Sequence, residues 1–180
     1  DIALMRTIPG MQVFSPADGL EAAKCFEAAV ESGKPTYIRL WGKTGIPIVY
    51  ESDYNYEIGK AILLREGKDI QIVATGSMAV QALKAAQLLS EEGIEADVIH
   101  MHTIKPMDTT LLDSHKQIFS IEEHSIVGGL GDALRESGFS INKIGIEDRF
   151  GEVGDYNYML KQHNLTNEKI KETILKNQIG

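Results

Sequence analysis

Apolar positions along the chain change period repeatedly, and the changes mark out alternating strands and helices. Met11-Gln12-Val13-Phe14 has the short apolar run of a strand. From Gly19 to Ser32 the apolar residues Ala22, Phe26, Ala29 and Val30 recur at helical spacing. Asp18 is placed to cap this helix, and Gly33 followed by Pro35 to stop it. Thr36 to Leu40 then returns to strand composition. Strand, helix and strand make one βαβ unit, which cannot cover both faces of its own sheet. Residues 1–40 are therefore expected to need a partner segment, and to dock on the rest of the chain or on another copy. Asp1 to Arg6 brings no initiator methionine and no strand signal, so the domain is expected to begin upstream.

The stretch 41–55 reads differently. Gly42, Gly45, Pro47, Tyr50 and Tyr54 describe a linker laid over a surface, with one short strand at Ile46 to Val49. Beyond it, 56–180 reads as a whole domain. Ile58 to Leu64 is a strand candidate, and Gly67-Lys68-Asp69 turns into a second strand, Ile70 to Ala74. Ala79, Leu83, Ala86 and Leu89 give a helix from Met78 to Ser90, ended by Gly93. Strand Asp97 to Met101, a short helix near Thr109 to Asp113, strand Ile118 to Ile121, helix Gly129 to Glu136 and strand Lys143 to Ile146 follow. The mixed charges of Glu147 to Tyr156 suit an ordered loop pinned by Arg149–carboxylate pairs. Thr166 is the N-cap of a closing helix, with Leu165 and Ile170 placed as a hydrophobic staple. The fold class expected is α/β, a mostly parallel sheet with helices on both faces, preceded by a βαβ remnant.

Composition narrows the function. Hydrophobic residues make up 43% and charged residues 24%, the profile of a globular protein with a sizeable core. A net charge of −8 without any Lys/Arg run argues against nucleic acid as a partner. A small anionic substrate needs only one or two placed cations and stays compatible. No apolar run approaches the ~20 residues of a membrane span, and no signal peptide is visible. Cys25 is the sole cysteine and sits in an apolar helical stretch, which suits a buried, inert thiol and a reducing, cytoplasmic setting.

Three turns place small or polar residues between a strand and a helix: Ser15 to Asp18, Ala74 to Ser77, and Glu122 to Gly131. Such positions receive anions in open α/β sheets, and they are also how βα units ordinarily connect. In the third turn, Gly128, Gly129 and Gly131 follow a G-G-x-G spacing, not that of a dinucleotide site, and Glu122 and Glu123 would repel a pyrophosphate. The glycines suit close backbone approach to a helix or another chain. His124 reads either as a proton shuttle or substrate ligand, or as a hydrogen-bonded interface histidine. His100 and His102 share a strand face, but with no further ligand cluster a metal site is not expected. Arg39, ending an apolar strand, reads as a phosphate clamp or as half of a salt bridge.

Arg6 to Pro9, Pro16 to Gly19, Ala74 to Ser77, Met101 to Pro106, Ile121 to Gly131 and Asp148 to Gly151 together carry a family resemblance. The chain resembles the C-terminal section of transketolase-like, thiamine-diphosphate-dependent enzymes. By that resemblance, 1–40 is the tail of a pyrimidine-binding domain, 41–55 a linker and 56–180 the C-terminal domain. The resemblance implies an enzyme moving a two-carbon ketol unit from a ketose phosphate to an aldose phosphate, with thiamine diphosphate and a divalent cation (Mg). Nothing here resembles the motif that holds the metal and diphosphate, or the glutamate that activates the aminopyrimidine. Those groups are expected from upstream sequence or a separate N-terminal subunit, in a homodimer or heterotetramer, and the chain alone is expected to be inactive. The resemblance puts Arg39 in the place of an arginine that binds substrate phosphate, and makes Glu122, His124, Gly128, Gly129 and Gly131 interface and positioning residues. It leaves open 1-deoxyxylulose-5-phosphate synthase and the β chain of a 2-oxo-acid dehydrogenase. A non-catalytic dimerisation or regulatory module is the reading from a different class.

Overall fold

The computed structural model describes residues 1–42 and 47–178. The elements run α1 (Ile2–Arg6), β1 (Gln12–Phe14), α2 (Gly19–Ser32), β2 (Thr36–Ile38), β3 (Ile62–Arg65), β4 (Ile70–Ala74) and α3 (Met78–Ser90). Next come β5 (Ala96–His100), β6 (Thr103–Lys105), β7 (Gln117–Ser125), α4 (Leu130–Glu136), β8 (Ile141–Ile146), α5 (Tyr156–Gln162) and α6 (Asn167–Gln178).

They build a five-stranded sheet of order β3-β5-β4-β7-β8 and a three-stranded sheet of order β2-β1-β6. In the larger sheet β5, β4, β7 and β8 are parallel, and β3 closes one edge antiparallel to β5. Side chains alternate across it. Ile70, Ile72 and Ala74 of β4 pack with Met78, Ala82, Ala86 and Leu89 of α3 and with Ile170 and Ile174 of α6. Val73, on the other face, packs with Ile99, Ile118 and, from α4, Leu130 and Leu134. Both faces are covered, and every residue of β4 and β5 is buried.

The smaller sheet joins the two parts of the chain. β1 and β2 are parallel through α2, with Gln12 opposite Thr36 and Phe14 opposite Ile38. The other edge of β1 is taken by β6, antiparallel, with Val13 opposite Lys105. Residues 1–40 thus dock on the later part of the same chain. Ile2, Val13, Ile104 and Ala133 form the apolar seam between α1, β1, β6 and α4.

Caps act where the sequence places them. Asp18 accepts the Glu21 amide at 2.9 Å, and Gly33 ends α2 in the left-handed region at φ 61°. Thr166 Oγ1 accepts the Lys169 amide at 3.4 Å, and Leu165 and Ile170 are both buried in the α6 core.

Several expectations are corrected. The helix expected over 109–113 is absent among the described residues, where turns stand instead. Asp108 accepts the Thr110 amide at 2.9 Å and Asp113 that of His115 at 2.9 Å, so local side-chain acceptors replace the helical ladder. The strand candidate at Ile58 begins only at Ile62. Of the strand expected over 46–49, Ile46 lies outside the described residues and 47–49 form none. Asp18 Oδ2 takes the amides of Val49 and Tyr50 at 2.8 and 3.0 Å, so this stretch crosses the α2 N-terminus as a loop. The inward face of α2 carries Glu21 and Cys25, while Phe26 and Val30 are 65% and 66% exposed. Helices α1 and α5 and strand β6 are additions to the expected set. Among the described residues no helix is long and apolar enough to cross a membrane.

Candidate functional site

The C-terminal end of β7 brings the chemistry together, because successive side chains point to opposite sides. Glu122 turns toward α4 and is fully buried. Its Oε2 accepts the Leu130 amide at 2.7 Å and its Oε1 the Gly131 amide at 3.0 Å. The helix N-terminus is therefore occupied by a carboxylate from the chain itself, which takes two of its free amides. Burial pushes the Glu122 carboxyl up to about 7, even though the two amides and Lys143 favour the charged form.

The glycines make this fit possible. A Cβ at Gly129 would overlap Glu122 Oε2, and one at Gly131 would lie 2.5 Å from Lys143 Cγ and 2.6 Å from Ser120 Oγ. Gly128, at φ +75°, lets the turn approach Ala3 of α1. Arg6 seals the contact, donating through Nη1 to Gly128 O at 2.5 Å and through Nη2 to Glu136 at 2.6 Å. The G-G-x-G turn is thus a docking element for α1, formed within one chain.

His124 points the same way as Glu122, 3.7 Å from its Oε2. Its Nδ1 donates to Ser125 O at 2.7 Å, and its Nε2 accepts the Ala3 amide at 3.4 Å. The tautomer follows from these partners. Burial holds its pKa below the usual histidine value. The ring thus sits in the contact between α1 and the end of β7, with a partner on each nitrogen.

Glu123 points the opposite way. Its Oε2 accepts the hydroxyl of Ser77, just before α3, at 2.5 Å and that of Tyr156, the first residue of α5, at 2.7 Å. Its carbonyl accepts Nη2 of Arg39 at 2.9 Å. Arg39 follows β2, and its Nε also meets Asp1 Oδ2 at 3.0 Å. Arg39, Glu123 and Tyr156 line a cleft of about 460 Å³ with Leu40, Trp41 and Met159. Trp41 lies against Tyr156, ring centroids 5.5 Å apart. Arg39 has a salt bridge, and it also stands at a cleft with Nη1 making no hydrogen bond to any described residue. The sequence singled out Glu122 and His124 and had Ser77 only as part of a candidate turn; it missed Trp41 and Tyr156 and read Glu123 only as a repulsive charge.

The other two turns meet each other. The Gly76 amide donates to Ser15 O at 3.0 Å, and the Thr75 hydroxyl donates to Met101 O at 2.7 Å. The β1–α2 loop therefore lies over the C-terminal ends of β4 and β5, where Ser15 O meets the Gly76 amide and the Ser15 amide meets His102 O. Beside it lies a buried polar cluster. His100 Nδ1 meets the Tyr50 hydroxyl at 2.8 Å and Glu21 Oε2 at 3.5 Å, while His102 Nδ1 meets Thr103 Oγ1 at 2.9 Å. Burial pushes His102 down to about 4, whereas for Glu21 burial, which acts to raise it, is outweighed by His100, His102 and the Ala17 amide together, and its carboxyl drops to about 2. The Cys25 thiol donates to Tyr56 and is pushed up to about 12 by burial, so it stays protonated. Among the described residues no group of three or more His, Cys, Asp or Glu is placed to hold a metal ion.

Comparison with known proteins adds a second line of evidence. Residues 59–170 match the description "Transketolase, C-terminal domain", and residues 1–42 match "Transketolase, pyrimidine binding domain". A 6-deoxy-6-sulfo-D-fructose transketolase subunit of Clostridium sp. is 38% identical across 94% of this chain and 55% of its own length. A 1-deoxy-D-xylulose-5-phosphate synthase of Halothermothrix orenii is 31% identical across 98% of this chain and 30% of its own. A solved structure described as split gene transketolase, inactive beta4 tetramer, superposes with a TM-score of 0.91 at 39% identity, over 97% of this chain and 60% of that one. The chain spans little more than half the length of the transketolase section and subunits it matches, between 55% and 60%.

Proposed function

This chain belongs to the transketolase family, and on that premise we propose that it is the C-terminal portion of an enzyme that moves a two-carbon ketol unit from a ketose phosphate to an aldose phosphate. The observation that carries this reading is the ordered match of 1–42 and 59–170 to two successive domains, with 97% of the chain superposing on a split-gene transketolase. Thiamine diphosphate would supply the carbanion chemistry. The described residues do not fit its diphosphate–metal end. They offer no cluster of metal ligands, and the α4 N-terminus is already occupied by Glu122. Those groups are assigned to other segments of the enzyme or to a separate N-terminal subunit. The exposed Phe26 and Val30, one helical turn apart on α2, support a further polypeptide covering this side. A cytoplasmic setting accords with this reading and with the free thiol of Cys25.

In this enzyme the chain's own part is to bind and orient. Arg39 offers a guanidinium at the cleft for the phosphate of the sugar, whose charge suits a planar, bidentate donor. Glu122, His124 and the three glycines hold α1 and α4 together, so the segment leading into β1 and the Arg39 cleft keeps its place.

The test is to assemble the chain with the remaining segments of its enzyme and assay ketol transfer from xylulose 5-phosphate to ribose 5-phosphate with thiamine diphosphate and Mg. The assembly should be active and this chain alone inactive. Formation of 1-deoxyxylulose 5-phosphate without ketol transfer would favour the second reading, which the 31% match to that synthase keeps open. Neither activity would leave a non-catalytic module.

A further inference from the structure

We infer that Glu123 is a positioning residue for Arg39: it ties the arginine of the earlier part of the chain to the later part and sets the direction from which the guanidinium meets an anionic substrate group. The inference rests on the reading of Arg39 as the phosphate ligand. A guanidinium is a rigid plane, so fixing two of its nitrogens fixes the third. Asp1 Oδ2 holds Nε at 3.0 Å and Glu123 O holds Nη2 at 2.9 Å, which leaves Nη1 for a ligand. The contact to Asp1 lies within the earlier part of the chain and would travel with it. The contact to Glu123 crosses to β7 and registers the arginine against the later domain.

Glu123 is itself anchored by two short hydroxyl donors from separate helices. Ser77 stands at the start of α3 and Tyr156 at the start of α5, and both donate to the same oxygen, Oε2. Hydroxyl-to-carboxylate hydrogen bonds of this length are charge-assisted and stiff. The end of β7, and with it the carbonyl that receives Arg39, is thereby held to two helices at once. The same carboxylate also forms part of the cleft wall, beside Trp41 and Met159. The two functions of one residue, backbone acceptor toward Arg39 and side-chain anchor toward α3 and α5, account for an acidic residue next to an arginine meant for an anion.

The test uses the assembled enzyme and two donors that differ only in the phosphate, xylulose 5-phosphate and xylulose. Arg39→Ala should lower the ratio of kcat/KM for the phosphorylated over the plain sugar by about a hundredfold, the scale of a lost charge-assisted contact. Glu123→Ala should lower the same ratio by about tenfold, with the loss in KM for xylulose 5-phosphate, and Ser77→Ala by about threefold. Should Glu123→Ala fail to assemble, Ser77→Ala carries the test, since it leaves Glu123 in place. An unchanged ratio in Arg39→Ala would remove Arg39 from the phosphate site and sink the underlying reading. A lowered ratio in Arg39→Ala with unchanged ratios in both other variants would overturn the positioning role alone. An equal loss toward both sugars in Glu123→Ala or Ser77→Ala would mark a purely structural residue and overturn it as well.

Discussion

Three consecutive side chains of β7 do three different things, and the pleat is the reason. Glu122 and His124 face the contact between α1 and α4, while Glu123 faces the cleft. Glu122 makes a pH-dependent prediction. Burial raises its carboxyl from 4.5 to about 7 on folding, so the folded chain holds this proton more tightly than the unfolded one. Its contribution to stability is fully present below pH 4.5 and is lost as the pH rises through 7, by about 3 kcal/mol at most. Denaturant titrations at pH 5 and pH 8 should show a smaller loss between the two pH values in Glu122→Gln than in the unaltered protein. Parallel behaviour would mean that Glu122 is ionised throughout. At this scale the sequence displayed the right residue types in the right turn, and the glycines could be read as sites of close approach. It did not display partners: Glu123 finds Ser77, Tyr156 and Arg39 at separations of 46, 33 and 84 residues.

Among the elements, α2 shows how a helical pattern can be right while its orientation is not. Its length, cap and stop were legible, because these depend on neighbours within a turn. Its inward face was not, because Glu21 turns inward to accept the Ala17 amide at 2.6 Å and the Tyr54 hydroxyl at 2.8 Å. A buried polar network, invisible to any apolar count, outweighs the apolar stripe. The same network fastens the linker over the α2 N-terminus. Tyr54→Phe would leave a buried carboxylate oxygen without its donor, at a cost of about 1–2 kcal/mol. The variant should unfold at lower denaturant and be cleaved faster within residues 47–55 by a protease. Stability and cleavage equal to those of the unaltered chain would show that Tyr54 does not hold the linker. The short helix α5 had its own signal in Asp155, which accepts the Tyr158 amide at 2.9 Å, but the charged loop before it drew the reading toward irregular structure.

Across the whole molecule, the two parts of the chain are joined by a sheet to which both contribute. Ser15 donates its amide to His102 O at 2.8 Å, directly beyond the β1–β6 pairing. Amide exchange in β1 and β6 should therefore be slow and of similar protection, because opening one strand frees the other. Much faster exchange in β1 than in β6 would mean that the earlier part opens by itself. Alternation of strands and helices, the caps of α2 and α6 and the βαβ unit were legible in the sequence because they are written in spacings of two to four residues. β6 was not, since three residues following a buried strand, Thr103 to Lys105, have no periodicity of their own and become a strand only when β1 offers an edge. The same holds for the cleft. Residue types and local spacing supplied Arg39 as a candidate. Which carbonyl receives it, which helices hold that carbonyl, and which strand ends the β1–α2 loop covers depend on contacts between residues far apart in the chain, and these exist only once the two sheets have packed.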